Sequence, residues 1–126
     1  MITSIPGSSL YFKGSIVAYD NRIKTDILGV SAALIEKDGA VSESVVREMA
    51  ENSRRLFNAD FSVATSGIAG PDGGTSEKPV GTVWIAAASG HGTVSEKRSY
   101  GTDRLSNIKR FSNYALNLLR KQIING

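Results

Sequence analysis

Apolar positions recur along this chain at two different periods, and the change from one to the other marks the elements. After the turn-like Pro6-Gly7-Ser8-Ser9, the run Gly14-Ser15-Ile16-Val17-Ala18-Tyr19 is short, β-branched and aromatic, and predicts a strand that ends at Tyr19. Asp20 and Asn21 then offer caps, Ile23, Ile27 and Leu28 stand at helical spacing, and Gly29 falls where a short helix stops. Ser31 as N-cap, Leu34 and Ile35 as an inward pair and Lys37-Asp38-Gly39 as a polar ending predict a second short helix. From Ser42 onward, Val45, Val46, Met49, Ala50, Ser53, Leu56 and Phe57 recur at three and four residues. Glu43, Arg47, Glu48, Glu51, Arg54 and Arg55 lie between them, which is the pattern of an amphipathic helix.

The period then shortens. Phe61-Ser62-Val63-Ala64-Thr65-Ser66 predicts a strand, and Val83-Trp84-Ile85-Ala86-Ala87-Ala88, almost continuously apolar, predicts one buried on both faces. Gly90-His91-Gly92 predicts a tight turn into a third strand, Thr93 to Tyr100, whose Glu96, Lys97 and Arg98 suit a sheet edge. A last helix starts near Arg104, with Leu105, Ile108, Phe111, Ala115 and Leu118 on its inward face. Strands alternating with helices and followed by a hairpin give an α/β class with a mixed β-sheet covered by helices.

Composition narrows the chemistry. The 126 residues are 40% hydrophobic and 21% charged, which fits one folded domain over 1–126 and leaves no room for a second core. No apolar run approaches the roughly 18 residues that span a bilayer, and the Met1-Ile2-Thr3-Ser4-Ile5-Pro6 start lacks the flank of a signal peptide, so a cytoplasmic protein is expected. With no cysteine and one histidine, His91, neither thiolate chemistry nor a multi-histidine metal centre is available. Catalysis falls to hydroxyls, amines and carboxylates. The net charge of +3 comes with only short basic clusters, Arg54-Arg55 and Arg120-Lys121, which suits an anionic small molecule better than nucleic acid.

Five of the thirteen glycines, Gly67, Gly70, Gly73, Gly74 and Gly81, fall between Ser66 and Thr82, together with Pro71, Asp72, Lys78 and Pro79. Such a loop can turn successive N–H groups into one concavity for a phosphate or a developing oxyanion, with Lys78 adding charge; equally, its glycines can serve only to shape turns. No Gly-Lys-Ser/Thr follows at P-loop spacing and no GxGxxG opens a helix.

Thr65-Ser66-Gly67-Ile68-Ala69-Gly70-Pro71-Asp72-Gly73-Gly74, followed by Glu77-Lys78-Pro79-Val80-Gly81-Thr82-Val83-Trp84, closely resembles the signature of the CinA C-terminal domain family, the nicotinamide-nucleotide amidohydrolases also called PncC. Ile5-Pro6-Gly7-Ser8-Ser9 with Phe12 and Gly14, Ala18-Tyr19 with Asn21 and Lys24, Gly39-Ala40-Val41-Ser42, and Asp103-Arg104 agree in order, so the resemblance covers essentially the whole chain. Family members usually begin earlier, with a strand and a Glu-Ser-Cys-Thr-Gly-Gly loop leading into a helix. This chain starts inside that helix, and an N-terminally truncated version of the family's fold is therefore expected. Asp20 stands where a Ser is common and Arg22 where a Glu is common.

The resemblance implies hydrolysis of the carboxamide of nicotinamide mononucleotide to nicotinic acid mononucleotide and ammonia, without a metal or organic cofactor. Amide hydrolysis needs a nucleophile, a base and donors for the oxyanion, and this composition allows a serine activated by a lysine whose pKa burial has lowered. On the family's pattern Lys24 is the base, Tyr19 a proton relay or orienting group and Ser9 the nucleophile, with the serine of the absent loop as rival. Read on their own, Ser9 is a turn hydroxyl, Tyr19 a half-buried strand aromatic and Lys24 a solvated helix residue. Ser66 and Gly67 are placed to donate to the carboxamide or its oxyanion, Gly70 is counted with them as substrate-binding, and Arg104, opening the last helix, is placed to pair with the substrate phosphate. His91 suits an exposed turn, and Asp72, which could coordinate a cation or cap the loop, better suits the cap.

Two classes of function follow. One is an amidohydrolase of pyridine nucleotide recycling; the other is a non-catalytic, truncated paralogue that keeps a nucleotide pocket or an oligomerisation surface. A sheet with an uncovered strand edge favours a homo-oligomer in either case.

Overall fold

The computed structural model describes residues 2–125. Two single turns of 3-10 helix, Ile2–Ser4 and Ser8–Leu10, precede the helices α1 (Asn21–Asp26), α2 (Ala32–Asp38) and α3 (Glu43–Leu56). The strands β1 (Phe61–Gly67), β2 (Thr82–Ser89) and β3 (Gly92–Ser99) follow, and α4 (Arg104–Asn125) closes the chain. The helix starts at Asp20 and Ser31 are built as the sequence indicates, and Ser42 and Asp103 cap α3 and α4 in the same way. Asp20 accepts from the Arg22 N–H, Ser31 from Leu34, Ser42 from Val45, and Asp103 from Ser106. Ser42 also donates to the Gly39 carbonyl at 2.7 Å, so one hydroxyl ties α3 to the end of α2. Ser42→Ala is expected to cost about 1 kcal/mol, seen as a lower urea midpoint with an unchanged slope.

The strands pair in the order β1-β2-β3, each neighbour antiparallel. The hairpin register brings Ser89 opposite Gly92, leaving Gly90-His91 as the turn. Alternation along β2 explains why it reads as almost wholly apolar. Val83, Ile85 and Ala87 pack with Phe111, Ala115 and Leu118 of α4, whereas Ala86 and Ala88 pack with Val46 and Ala50 of α3. A third cluster, Leu28, Val30, Val45 and Met49, receives Ile16, Ala18, Leu34 and Ile35 and extends the α3 side.

Two expectations need correction. The sheet is not mixed, because its described strands are all antiparallel and Gly14–Tyr19 is not a strand of it. That segment is extended, with Phe12, Gly14, Ile16 and Ala18 turned inward and Lys13, Ser15, Val17 and Tyr19 outward. Among the described residues its backbone pairs with no strand, so strand-like alternation is present without a ladder. Lys13 anchors its start by donating to the Phe57 and Asn58 carbonyls at the end of α3.

The second correction concerns the face of α4. Leu105 is 78% exposed and Ile108 44% exposed, while Asn107 is fully buried. At 100° per residue, Leu105 lies about 120° around the helix from Phe111 and Asn107 only about 40°. A polar residue therefore occupies the inward position.

Candidate functional site

Lys24 is the most unusual side chain of the candidate set. Although it sits on a six-residue helix, it is only 6% exposed, and its Nζ donates to the Ala18 carbonyl at 2.7 Å. Burial pushes its pKa below the ordinary lysine value, and the Asp20 carboxylate opposes that shift. It is not the solvated lysine that its place in a short polar helix suggests. Two backbone bonds tie it to the segments on either side: its Nζ on the Ala18 carbonyl and its own carbonyl accepting from the Val30 N–H at 2.9 Å. Tyr19 follows the carbonyl that holds Lys24 but is 83% exposed, not half-buried. Ser9 is exposed in the second 3-10 turn and its hydroxyl bonds neither Tyr19 nor Lys24; the buried serine of that turn is Ser8.

The glycine loop forms a second group. Ser66 is buried and its hydroxyl donates to the Ala40 carbonyl at 2.8 Å, so β1 is tied to the loop between α2 and α3. Gly67 is dictated by packing, since a Cβ there would meet the Phe111 ring at 2.7 Å. Gly70 has φ +91°, a conformation that favours glycine, and a Cβ would lie 2.5 Å from Val80 Cγ1. Arg104 Nη1 donates to the Gly70 carbonyl at 2.6 Å, so part of a guanidinium expected to meet phosphate instead holds the loop. Lys78 is likewise engaged, with its Nζ on the Asp38 carbonyl at 2.5 Å.

Of the expected residues, the structure joins Gly70 to Arg104 directly and sets Tyr19 next to the residue that holds Lys24. No hydrogen bond links Lys24 to Ser66, Gly67, Gly70 or Arg104 among the described residues. Lys13 fixes the start of the extended segment at the C-terminal end of α3, and Ser66 fixes the end of β1 at Ala40, ahead of α3. Two cavities, of about 260 and 270 Å³, lie elsewhere: one at Ser89, His91, Gln122 and Asn125, the other at Tyr100, Arg110, Asn113, Tyr114 and Asn117. His91 is exposed in the hairpin turn and Asp72 is exposed in the loop.

One residue of this region escaped the sequence reading. Asn107 donates from Nδ2 to the carbonyls of Ala69 and Gly101, each at 2.9 Å, and so joins the glycine loop to the approach to α4. A signal was present: Asn107 precedes Phe111 by four residues and Phe111 precedes Ala115 by four, which places an amide in an apolar register.

The family model for the CinA C-terminal domain matches residues 1–123. The chain belongs to the CinA C-terminal domain family. A CinA-like protein of Cytophaga hutchinsonii is 50% identical over 123 residues, which are 98% of this chain and 29% of that protein. A CinA-like protein of Fervidobacterium nodosum is 53% identical over 120 residues, 95% of this chain and again 29% of the relative. The chain thus spans less than a third of the length of these CinA relatives. Among solved structures, the competence/damage inducible protein CihA of Agrobacterium tumefaciens superposes with a TM-score of 0.93 at 36% identity, covering 95% of this chain and 74% of that one. A CinA superfamily protein of Klebsiella pneumoniae gives 0.93 at 26% identity, over 99% and 78%. The α/β class of the CinA fold is established by these likenesses, and no helix among the described residues is long and apolar enough to cross a membrane.

Proposed function

We propose that this CinA domain hydrolyses the carboxamide of nicotinamide mononucleotide to nicotinic acid mononucleotide and ammonia, as an enzyme of pyridine nucleotide recycling. The observation that carries this reading is Lys24, a buried amine held by a backbone carbonyl, with burial favouring its neutral, basic form. A serine hydroxyl adds to the carboxamide carbon and passes its proton to Lys24 Nζ. The tetrahedral adduct then collapses, the C–N bond breaks, and the proton on Lys24 leaves with the amine as ammonia. Water cleaves the resulting ester, releasing the carboxylic acid and restoring the serine. Ser9 is the nucleophile assigned here, Tyr19 relays or orients the proton, and Ser66, Gly67, Gly70 and Arg104 bind the substrate. No metal or organic cofactor takes part, and the domain acts in the cytoplasm as a homo-oligomer.

A second reading has its own support. Ser9, Tyr19 and Lys24 are not joined by hydrogen bonds, which suits a non-catalytic module that binds a nucleotide or associates with its own kind. Incubating the chain with nicotinamide mononucleotide and measuring ammonia against nicotinic acid mononucleotide separates the two. Equimolar release is expected, falling by roughly 10³-fold or more in Ser9→Ala. Undiminished release in Ser9→Ala moves the nucleophile to another group, and binding without release selects the module.

A further inference from the structure

Asn107 is fully buried, yet its Oδ1 has no hydrogen-bond partner among the described residues. An unsatisfied buried amide oxygen is costly, and an apolar residue of similar size would pack the same inward position without that cost. What an apolar residue cannot do is donate twice. Both Nδ2 protons are used, one on the Ala69 carbonyl and one on the Gly101 carbonyl.

The grip on Ala69 fixes more than a loop. The Ala69–Gly70 peptide is trans, so its N–H points opposite to its C=O. With the Ala69 carbonyl drawn against α4, the Gly70 N–H faces away from that helix. Gly70 is a buried residue, and no acceptor is bonded to its N–H among the described residues. A backbone donor with no partner in the protein takes its acceptor from solvent or from a ligand. Arg104 reinforces the arrangement by holding the next carbonyl, that of Gly70, from the same helix.

We propose that Asn107 is a positioning residue, which by holding the Ala69 carbonyl aims the Gly70 N–H at the oxygen that becomes anionic on the substrate carboxamide. This rests on the amidohydrolase reading. The hydrogen bond strengthens as charge develops on that oxygen, so its loss acts on turnover rather than on binding.

The test follows the Gly70 amide resonance of the ¹⁵N-labelled chain during titration with nicotinic acid mononucleotide, whose carboxylate presents the anionic oxygen. The Gly70 proton is expected to move downfield together with the resonances of other site residues. In Asn107→Asp, checked for folding by the dispersion of its spectrum, the Gly70 shift disappears. There kcat falls roughly 10²- to 10³-fold, with KM changed less than about twofold, because only a transition-state interaction is removed. If other site resonances move in the wild-type chain and Gly70 does not, Asn107 holds the loop and nothing more. If no resonance moves and no ammonia is released, the amidohydrolase reading fails, and this inference fails with it. Should Asn107→Asp not fold, Asn107→Ser, which keeps one donor and adds no charge, takes its place, and a Gly70 shift undiminished there overturns the inference.

Discussion

Lys24→Met is expected to lose ammonia release by roughly 10²- to 10⁴-fold and to melt at or above the temperature of the unchanged chain. Both effects have one origin. A lysine held below its ordinary value binds a proton less tightly in the folded chain than in the unfolded one. Between its folded value and 10.5 the unfolded state therefore carries more protons, and stability from this group rises with pH through that window. Below the window the buried ammonium opposes folding by a constant amount. Methionine matches the lysine stem and removes the charge, at the expense of the bond to the Ala18 carbonyl, which belongs to an extended segment with an exposed face. The melting difference between variant and parent should be largest near pH 7 and shrink as pH approaches 10. Activity of the parent should climb through the same window as the amine becomes neutral. Melting curves at both pH values check the first statement, and a pH–rate profile the second. A Lys24→Met chain that turns over normally removes Lys24 from the mechanism.

The largest loss of stability is expected at Gly81→Ala. Gly81 sits where three pieces of backbone meet: its N–H donates to Ile68 at 2.7 Å and its carbonyl accepts from Tyr100 at 2.9 Å. Its φ is +92°, and a Cβ would lie against the carbonyl oxygen of Gly101, 2.5 Å from that of Tyr100 and 2.8 Å from the carbon bearing it. All these atoms are backbone, so no side chain can swing away. Relief requires the start of β2 to part from the end of β3, at a cost of about 3 kcal/mol or more. Calorimetry should show a drop of roughly 10 °C or more. Gly92→Ala is the comparison, since Gly92 also has a positive φ, +132°, but a Cβ there meets nothing within 4 Å. A Gly81→Ala chain as stable as Gly92→Ala would mean that the junction yields more readily than its geometry implies.

The parts of the fold that the sequence made legible are those where one physical signal acts alone. The caps at Asp20 and Ser31 and the two-faced burial of β2 follow from side-chain chemistry and period, and both are present. Gly14–Tyr19 shows where the period is insufficient. Alternation records which side chains face a core, and here that core is α3 and its neighbours, but it does not record whether a backbone lies alongside to bond. Leu105 and Ile108 mislead for another reason. An apolar side chain near a helix start looks inward by type, while the phase of α4 is set by Phe111, Ala115 and Leu118 and by the two carbonyls that Asn107 holds. At the candidate site the residue types were legible and their environments were not. Lys24 is buried and Tyr19 exposed because of the packing of a segment that joins no ladder among the described residues, which spacing along the chain does not encode.

The two margins of the sheet are built in opposite ways. β3 carries Glu96, Lys97 and Arg98, and on its α4 side Tyr114 bonds Glu96 while Arg98 lies 4.4 Å over the Tyr114 ring. β1 has no charged residue in its seven, packs against α3 on one face and α4 on the other, and among the described residues pairs with a strand on one margin alone. A foreign extended chain is repelled by charge at the first margin and by no charged residue of β1 itself at the second. The shelf life of concentrated solutions is therefore governed by Phe61–Gly67, and a single lysine on that margin would do more to keep the protein clear than any change to its overall charge.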